Sequence, residues 1–418
     1  MQSTASHSER EKAWSMPLDQ IDVSKGYLFE HDLIGWYFER LRQQDPVHHA
    51  VSKRYGPYWS ITRYQDIMAV DTDHANFSSD AHLGGISLAE RPAPEVFPSF
   101  IAMDPPRHDE QRKTVSPIVA PGNLAVLEPT IRERAARILD SLPAGEEFDW
   151  VQRVSIELTT QMLATLFDFP FEDRRLLTWW SDMATGDPDG NGPVTSWEMR
   201  LAELGKCQDY FTRLWNERVN APPGNDLISM LAHAPATRNM DAREYLGNLI
   251  LLIVGGNDTT RNSISGGLLA LNRFPGEYAK LRANPALVES LVPEIIRWQT
   301  PLAHMRRTAA RDTVVGGKLI RKGDKVVMWY LSGNRDGEVI EHADEFIIDR
   351  ARPRQHMSFG FGIHRCVGNR LAELQLKVLW QEILKRFEHI EVLGEPTRTK
   401  SNFVHGFTAM PVRIASRH

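Results

Sequence analysis

The stretch Ser358-Phe359-Gly360-Phe361-Gly362-Ile363-His364-Arg365-Cys366-Val367-Gly368 decides how the rest of the chain is interpreted. Cys366 is one of only two cysteines, and glycines stand four residues before it and two residues after it. Because glycine has no side chain, such a loop lets the backbone approach a ligand closely. The stretch therefore predicts a loop that presents a single thiolate to a flat ligand.

Composition limits the classes of protein to which the chain can belong. Of its 418 residues 42% are hydrophobic and 25% are charged, which is typical of a soluble globular protein. The net charge of −5 does not favour a nucleic-acid-binding protein. We see no signal peptide in the polar N-terminus, and the apolar run at residues 249–254 falls well short of the ~20 residues that span a bilayer. We therefore expect a cytoplasmic protein with no membrane span and no nucleic-acid partner.

Hydrophobic periodicity predicts a mainly α fold with a smaller β portion. Apolar residues recur at helical spacing over residues 32–44, 123–142, 154–166 and 241–271. Short strand-like runs are few, and the clearest cover residues 58–62 and 325–330. We expect a single domain over residues 17–418, a flexible tail over residues 1–16, and irregular loops at residues 78–98 and 186–193.

The long helix predicted at residues 241–271 has an unusual centre. Gly255-Gly256-Asn257-Asp258-Thr259-Thr260 consists of poor helix formers within an otherwise apolar helix. This predicts a local bulge with room for a ligand, where the Asp258 carboxylate and the Thr259 hydroxyl relay protons. The alternative is a helix end followed by a new helix capped by threonine.

Several charged residues are candidates for a buried site. Glu294 and Arg297 share one helix face among apolar neighbours, which predicts a buried ion pair. His108 and Arg112 also share a face, and Arg307 precedes a strand-like run. The alternative for each residue taken singly is a solvated surface charge.

Together these motifs resemble those of the cytochromes P450 over about residues 17–414. The resemblance is carried by Phe-x-x-Gly-x-x-x-Cys-x-Gly at the cysteine loop, by Gly-Gly-x-Asp-Thr-Thr in the long helix, and by Glu-x-x-Arg. It implies a single-domain cytochrome P450 fold with haem b as cofactor and Cys366 as the ligand of its iron. A thiolate ligand favours O–O bond cleavage.

The resemblance also assigns roles to further residues. Six residues besides Cys366 are expected to bind the cofactor: His108, Arg112, Arg307, Phe359, His364 and Gly368. Arg350 is the expected structural partner of Glu294 and Arg297. Six residues are expected to contact substrate, although plain core packing predicts the same composition: Leu251, Val254, Gly255, Leu302, Phe403 and Phe407. The second cysteine, Cys207, has no comparable setting and is interpreted as a bystander.

A narrower resemblance covers residues 251–267, 294–309, 321–336 and 358–373. These stretches look like the soluble bacterial P450s that hydroxylate alkanes and fatty acids at the terminal carbon. The resemblance implies a monooxygenase that uses O₂ and receives electrons from a ferredoxin and an NAD(P)H-dependent ferredoxin reductase. An acidic ferredoxin is expected to dock near Arg107, Lys113, Arg365 and Arg370, for which a solvated surface is the alternative.

Three other functions stay open at this point. The first is a P450 monooxygenase of another apolar substrate, a terpene or a steroid. The second is a haem-thiolate redox or gas sensor, although no output segment is evident in the sequence. The third is a P450-fold peroxygenase or isomerase, in which the Asp258–Thr259 pair is usually replaced.

Overall fold

The structure is a computed structural model and describes residues 4–90 and 96–418. The helices in chain order are α1 Thr4–Ser15, α2 Gly26–Glu30, α3 Ile34–Gln44, α4 Tyr64–Thr72, α5 Arg107–Val115, α6 Pro121–Asp140, α7 Ile156–Phe167, α8 Arg175–Thr185, α9 Trp197–Val219, α10 Leu227–His233, α11 Ala242–Arg273, α12 Pro275–Ala283, α13 Val288–Gln299, α14 Tyr330–Gly333 and α15 Asn369–Arg386. The strands are β1 Val47–Ser52, β2 Gly56–Ile61, β3 Phe77–Ser78, β4 Glu147–Asp149, β5 Met305–Ala309, β6 Thr313–Val315, β7 Lys318–Ile320, β8 Lys325–Met328, β9 Ile390–Val392, β10 Thr397–Arg398, β11 Phe407–Ala409 and β12 Pro411–Ile414. The predicted mainly α architecture with a smaller β portion is confirmed.

The largest sheet has five strands in the order β1-β2-β8-β5-β3. β1 and β2 form an antiparallel hairpin, and β2 runs parallel to β8. β8 also pairs antiparallel with β5, so that Met305 lies opposite Met328. Val326, Val327 and Met328 of β8 are buried, as expected for a central strand that is covered on both faces. β5 is thus held between β8 and β3.

Helix α11 lies at the centre of the helical region and contacts α7, α8, α13 and α15. Asp241 caps its first turn by accepting from the amides of Arg243 and Glu244, and Pro275 prevents its continuation into α12. Buried apolar side chains recur along it at three- and four-residue steps, as at Leu246, Leu249 and Ile253. The helix predicted at residues 241–271 is therefore present, with ends displaced by one to two residues.

The predicted bulge in the middle of this helix is wrong, because α11 is α-helical throughout residues 242–273. The polar side chains bond back to its own carbonyls instead. Thr259 Oγ1 donates to the Gly255 carbonyl at 2.8 Å, and Ser263 Oγ donates to the Thr259 carbonyl at 2.9 Å. The two glycines leave space beside the helix without interrupting it.

The prediction of a flexible tail over residues 1–16 is wrong for the part that the structure describes. Residues 4–15 form α1, which packs against α3. Ala13 is completely buried, and the Arg40 guanidinium donates to its carbonyl at 2.6 Å and also to the carbonyl of Met16. Residues 1–3 lie outside the described residues, as do residues 91–95 of the loop predicted at residues 78–98.

Within residues 4–90 and 96–418, no helix combines the length and the apolar character that are needed to cross a bilayer.

Candidate active site

The Cys366 loop is a tight, hydrogen-bonded turn in front of α15. The Cys366 amide donates to the Phe359 carbonyl at 2.8 Å, and the Gly360 amide donates to the Met357 carbonyl at 2.8 Å. Gly360 and Gly362 adopt φ values of +66° and +63°, and a Cβ at Gly362 would lie 2.7 Å from the Asp71 carbonyl oxygen. Both the backbone conformation and the close approach therefore require glycine at position 362.

Opposing effects act on the Cys366 thiol. Removal from bulk water raises its pKa. The Gly368 and Asn369 amides at the start of α15 and the charges of Arg112 and Arg365 act in the opposite direction, although the net shift of the pKa is upward. The start of α15 therefore stabilises the thiolate but does not outweigh desolvation. Cys207, by contrast, is buried in the core, and burial raises the pKa of its thiol.

A cavity of about 1260 Å³ lies between the Cys366 loop, α11 and β5. Binding pockets for a single small molecule typically span roughly 300–1,000 Å³, so this cavity has room for a large flat cofactor together with a second ligand. Five of the six residues predicted to contact substrate line it: Leu251, Val254, Gly255, Leu302 and Phe403. Phe407, the sixth, is not among the lining residues: it is 3% exposed in the hydrophobic core, with the Arg398 guanidinium over its ring.

The two adjacent glycines of α11 differ in their surroundings. A Cβ added at Gly255 would meet no atom within 4 Å, because this position faces the open cavity. A Cβ added at Gly256 would lie 2.6 Å from Cδ2 of Leu163 on α7. Gly255 therefore provides space for a ligand, whereas Gly256 allows two helices to approach each other.

Thr259 and Asp258 are neighbours in sequence but occupy different environments. Thr259 lines the cavity, and its hydroxyl hydrogen is directed to its own helix, so that its lone pairs can accept from a bound molecule. Asp258 does not line the cavity and is fully buried towards α8. Its Oδ1 lies 2.9 Å from Arg261 Nη2, and its Oδ2 accepts from Thr185 at 3.2 Å.

This arrangement corrects the expectation that Asp258 stands at the opening in the helix. Burial raises the pKa of Asp258, and Arg261 acts in the opposite direction. Arg261 also donates to Asp182 at 2.7 Å, and that carboxylate is 26% exposed. A polar chain therefore runs from the Asp258 carboxyl towards the protein surface.

The predicted cofactor-binding cations converge on one side of the cavity. Arg112, Arg307 and His364 line it, as do Phe359 and Gly368. His108 is buried just behind, with its ring centroid 4.3 Å from that of His364. The structure thus brings together residues that are far apart in the sequence.

The two imidazoles test whether this region fits the haem that the resemblance implies. His108 Nε2 and both ring nitrogens of His364 are buried without a hydrogen-bond partner in the described structure. Burial lowers the pKa of His364 to about 2, and the nearby Arg307 and His108 charges add to the shift. A carboxylate placed beside these rings would accept from their N–H groups. The orphan nitrogens, the cavity and the cavity-lining sulfur therefore fit a haem, whose propionates Arg112, Arg307 and His364 would hold, with His108 behind His364.

The structure also brings together the predicted Glu294, Arg297 and Arg350. Arg297 Nε and Nη2 each donate to Glu294 at 2.8 Å, and Arg350 Nε donates to Glu294 at 3.2 Å. Arg297 Nη1 donates to the Asn334 carbonyl at 2.9 Å. The Asn334 side chain in turn donates to Ser358 Oγ and accepts from the Met357 amide, both at 2.8 Å. The cluster therefore supports the start of the Cys366 loop through Asn334.

Asp71 is a residue near the site that sequence reasoning missed. Its carboxylate accepts from Arg307, from Tyr330 and from the Phe361 amide, each at 2.8 Å. Its position at the end of α4, directly before two further polar residues, is typical of a surface helix end. No local signal therefore distinguishes Asp71 from a solvated aspartate.

A cluster of one arginine and two aspartates lies in the wall of the cavity. Arg54 of the β1–β2 hairpin lies 2.5 Å from Asp187 and 3.1 Å from Asp189, and all three residues line the cavity. The carboxylates belong to the irregular loop predicted at residues 186–193. This cluster thus joins the hairpin to that loop.

The sequence is similar to a protein-family model and to known monooxygenases and hydroxylases. The family model described as Cytochrome P450 matches residues 216–415. The chain is 37% identical to linalool 8-monooxygenase of Pseudomonas putida over 412 residues, which cover 96% of this chain and all of that protein. It is 33% identical to the methyl-branched lipid omega-hydroxylase of Mycobacterium bovis over 365 residues, which cover 85% of this chain and 83% of that protein.

Two solved structures are similar over nearly their whole length. Cytochrome P450-153 from Novosphingobium aromaticivorans has 44% identity and a TM-score of 0.88, with 94% of this chain and 99% of that chain covered. CYP153D17 from Sphingomonas sp. PAMC 26605 has 48% identity and a TM-score of 0.88, with 94% and 98% covered.

Proposed function

The chain belongs to the cytochrome P450 family, and from this premise we propose that it hydroxylates the terminal carbon of medium-chain alkanes or fatty acids. It is a monooxygenase of the bacterial type with haem b as its cofactor. When bound, the thiolate-ligated haem supplies the activation of O₂. The protein residues bind and orient the substrate and deliver protons to the site.

The observation that carries the proposal is the apolar wall of the cavity that Cys366 also lines. Leu251 and Val254 of α11, together with Leu302 and Phe403, form this wall. A wall of this kind binds alkyl chains by removing apolar surface from water, at about 25 cal/mol per Å² buried. Attack on a terminal methyl opposes intrinsic reactivity, because inner C–H bonds are weaker. The wall must therefore restrict which carbon reaches the reacting centre.

The similarity to a methyl-branched lipid omega-hydroxylase supports the same class of substrate. A second candidate substrate is a terpene, which the 37% identity to linalool 8-monooxygenase favours. Both candidates are largely apolar and fit the same wall.

We propose that Thr259 and Asp258 manage the protons of the reaction. Thr259 Oγ1, in the cavity wall, holds a water or another donor by accepting its hydrogen bond. The Asp258 carboxyl, whose pKa is raised by burial, supplies protons to this position after its contact with Arg261 opens. Asp182, which shares Arg261 with Asp258 and is 26% exposed, marks the side from which solvent protons reach the Asp258 carboxyl once that contact is open.

We propose that electrons come from a ferredoxin that is reduced by an NAD(P)H-dependent reductase. Lys113, Arg365 and Arg370 are exposed near the Cys366 loop, whereas Arg107 pairs with Glu244 at 2.8 Å. The first three therefore support docking of an acidic ferredoxin by charge complementarity. Replacing Lys113 and Arg370 by glutamate should raise the KM for ferredoxin and leave the affinity for substrate unchanged.

A binding panel tests the substrate class. The purified haem-loaded protein, checked by its carbon monoxide difference spectrum, is titrated with octane, decanoic acid, linalool and a steroid. We expect octane and decanoic acid to shift the Soret band, and turnover to give products that are hydroxylated at the terminal carbon. Shifts from linalool or the steroid alone, or hydroxylation at inner carbons only, would contradict the proposal.

A matched pair of variants connects that result to the cavity wall. Val254→Phe should weaken the binding of longer chains more than that of shorter ones, because Val254 lines the cavity. Val51→Phe makes the same substitution at a residue that is 67% exposed on β1 and should leave all affinities unchanged. Equal effects of the two substitutions would argue against the assigned wall.

A further inference from the structure

Asp71 is a buried carboxylate with three donors, one of which is a cation. Its side chain is 1% exposed, and that of its ion-pair partner Arg307 is 3% exposed. Oδ1 accepts from Arg307 Nη2, and Oδ2 accepts both from the Tyr330 hydroxyl and from the Phe361 amide, each at 2.8 Å. A buried ionised carboxylate persists only with such compensation.

The three donors belong to separate parts of the site. Arg307 lies on β5 and Tyr330 at the start of α14, and both line the cavity. Phe361 lies in the loop that carries Cys366. A Cβ at Gly360 would lie 3.1 Å from Asp71 Oδ2, so the loop packs closely against this carboxylate. One carboxylate thus joins β5, α14 and the Cys366 loop.

Asp71 also determines the orientation of the Arg307 guanidinium relative to the cavity. Nη2 of Arg307 is occupied by Asp71, and Nη1 donates to the Arg306 carbonyl at 2.9 Å. The orientation of the guanidinium is therefore fixed, and its charge is already balanced before any anion enters the cavity. Replacing Asp71 would remove the protein carboxylate that compensates this buried positive charge.

Burial and the neighbouring Asp71 raise the pKa of Tyr330. Its hydroxyl consequently stays protonated and donates to the carboxylate at neutral pH. The negative charge of the cluster thus resides on Asp71.

We propose that Asp71 is a positioning residue of the haem site, whose fixed negative charge orients Arg307 and holds the haem reduction potential low. A negative charge in contact with the residues that line this cavity would oppose the arrival of an electron at a haem bound there, and such an effect is strong where water is excluded. The inference rests on the haem site and not on the substrate proposed above.

The test compares midpoint potentials of haem-loaded variants in a dye-mediated redox titration. Asp71→Asn removes the charge with little change in shape, and we expect a more positive potential. Tyr330→Phe removes one hydrogen bond to the same carboxylate but keeps its charge, so we expect a much smaller shift. Asp66→Asn, on the same helix but away from the cavity-lining residues, should leave the potential unchanged. Asp71→Glu should restore most of the wild-type value.

Two results would overturn the proposal. One is an unchanged potential in Asp71→Asn. The other is an equal shift in Asp71→Asn and Tyr330→Phe, which would indicate disturbed packing instead of charge.

If Asp71→Asn does not retain haem, the effect of the Asp71 charge can be measured in a second pair of variants. Arg307→Gln should lower the potential, and the Arg307→Gln/Asp71→Asn double variant places two neutral amides together. We expect the double variant to have a more positive potential than Arg307→Gln alone. Equal potentials in these two variants would also overturn the proposal.

Discussion

Substituting Arg297 by lysine should destabilise the protein although the charge is kept. All five N–H groups of the Arg297 guanidinium are used: two donate to Glu294, and three donate to the carbonyls of Asn334, Ala343 and Glu345. Lysine has three donors on a single atom. At least two of these five hydrogen bonds would therefore be lost.

The magnitude follows from the hydrogen bonds that are lost. Each lost hydrogen bond of this buried charged group costs about 1–3 kcal/mol, which gives about 2–6 kcal/mol for two. The unfolding entropy is about 2.1 cal/mol/K per residue, so the unfolding entropy of the whole chain is about 0.9 kcal/mol/K. The expected fall in Tm is therefore about 2–7 °C. Because Arg297 also holds Asn334, the Cys366 loop should loosen, and the haem-thiolate absorbance should decay faster on warming.

The assay is thermal unfolding by circular dichroism at one fixed scan rate, with the carbon monoxide spectrum recorded in parallel. Arg413→Lys is the control, since Arg413 forms one exposed ion pair with Glu391 at 2.9 Å. Its effect should lie within about 0.5 kcal/mol of zero. A Tm for Arg297→Lys within about 1 °C of wild type would refute the reasoning, and so would an equal loss in the control.

Three further outcomes are expected. Thr259→Ala should release more peroxide and form less product per NAD(P)H, whereas Thr259→Ser should stay close to wild type; equal coupling in all three proteins would count against the relay. Gly84→Ala should destabilise the protein more than Gly85→Ala, because both have positive φ but only the Gly84 Cβ would overlap the Arg306 guanidinium; the two urea midpoints measure the difference. Burial alone would raise the pKa of Glu382, but hydrogen bonds to basic neighbours lower it to about 2. Since the folded pKa lies below the unfolded value, the stability gained is present at neutral pH and is lost as pH falls below about 4.5. The difference in urea midpoint between wild type and Glu382→Gln should accordingly be constant from pH 7 to about pH 5 and shrink below that, and a difference independent of pH would contradict this assignment.

Features that are local in sequence could be predicted. The spacing of Gly362, Cys366 and Gly368 defined the loop, and the apolar neighbours of Glu294 and Arg297 indicated a buried pair. Each of these patterns lies within one turn or one helix, where backbone geometry fixes which residues are close.

Features that depend on packing between distant segments could not be predicted. Asp71 is 236 residues from Arg307 and 290 residues from Phe361, so its role depends entirely on how α4 meets the Cys366 loop. The direction in which the Asp258 carboxyl points depends on the rotation of α11 against α8. The burial of Phe407 depends on the register of β10 with β11, which is irregular.

Gly255 has a consequence for how the enzyme can diversify. Reshaping a pocket usually weakens the fold, because the residues that contact a ligand also support each other. A methyl group at position 255 would enter empty space, and alanine is about 1 kcal/mol more favourable than glycine inside a helix. Small side chains at position 255 can therefore reduce the cavity volume without a loss of stability, which leaves that stability available for later substitutions.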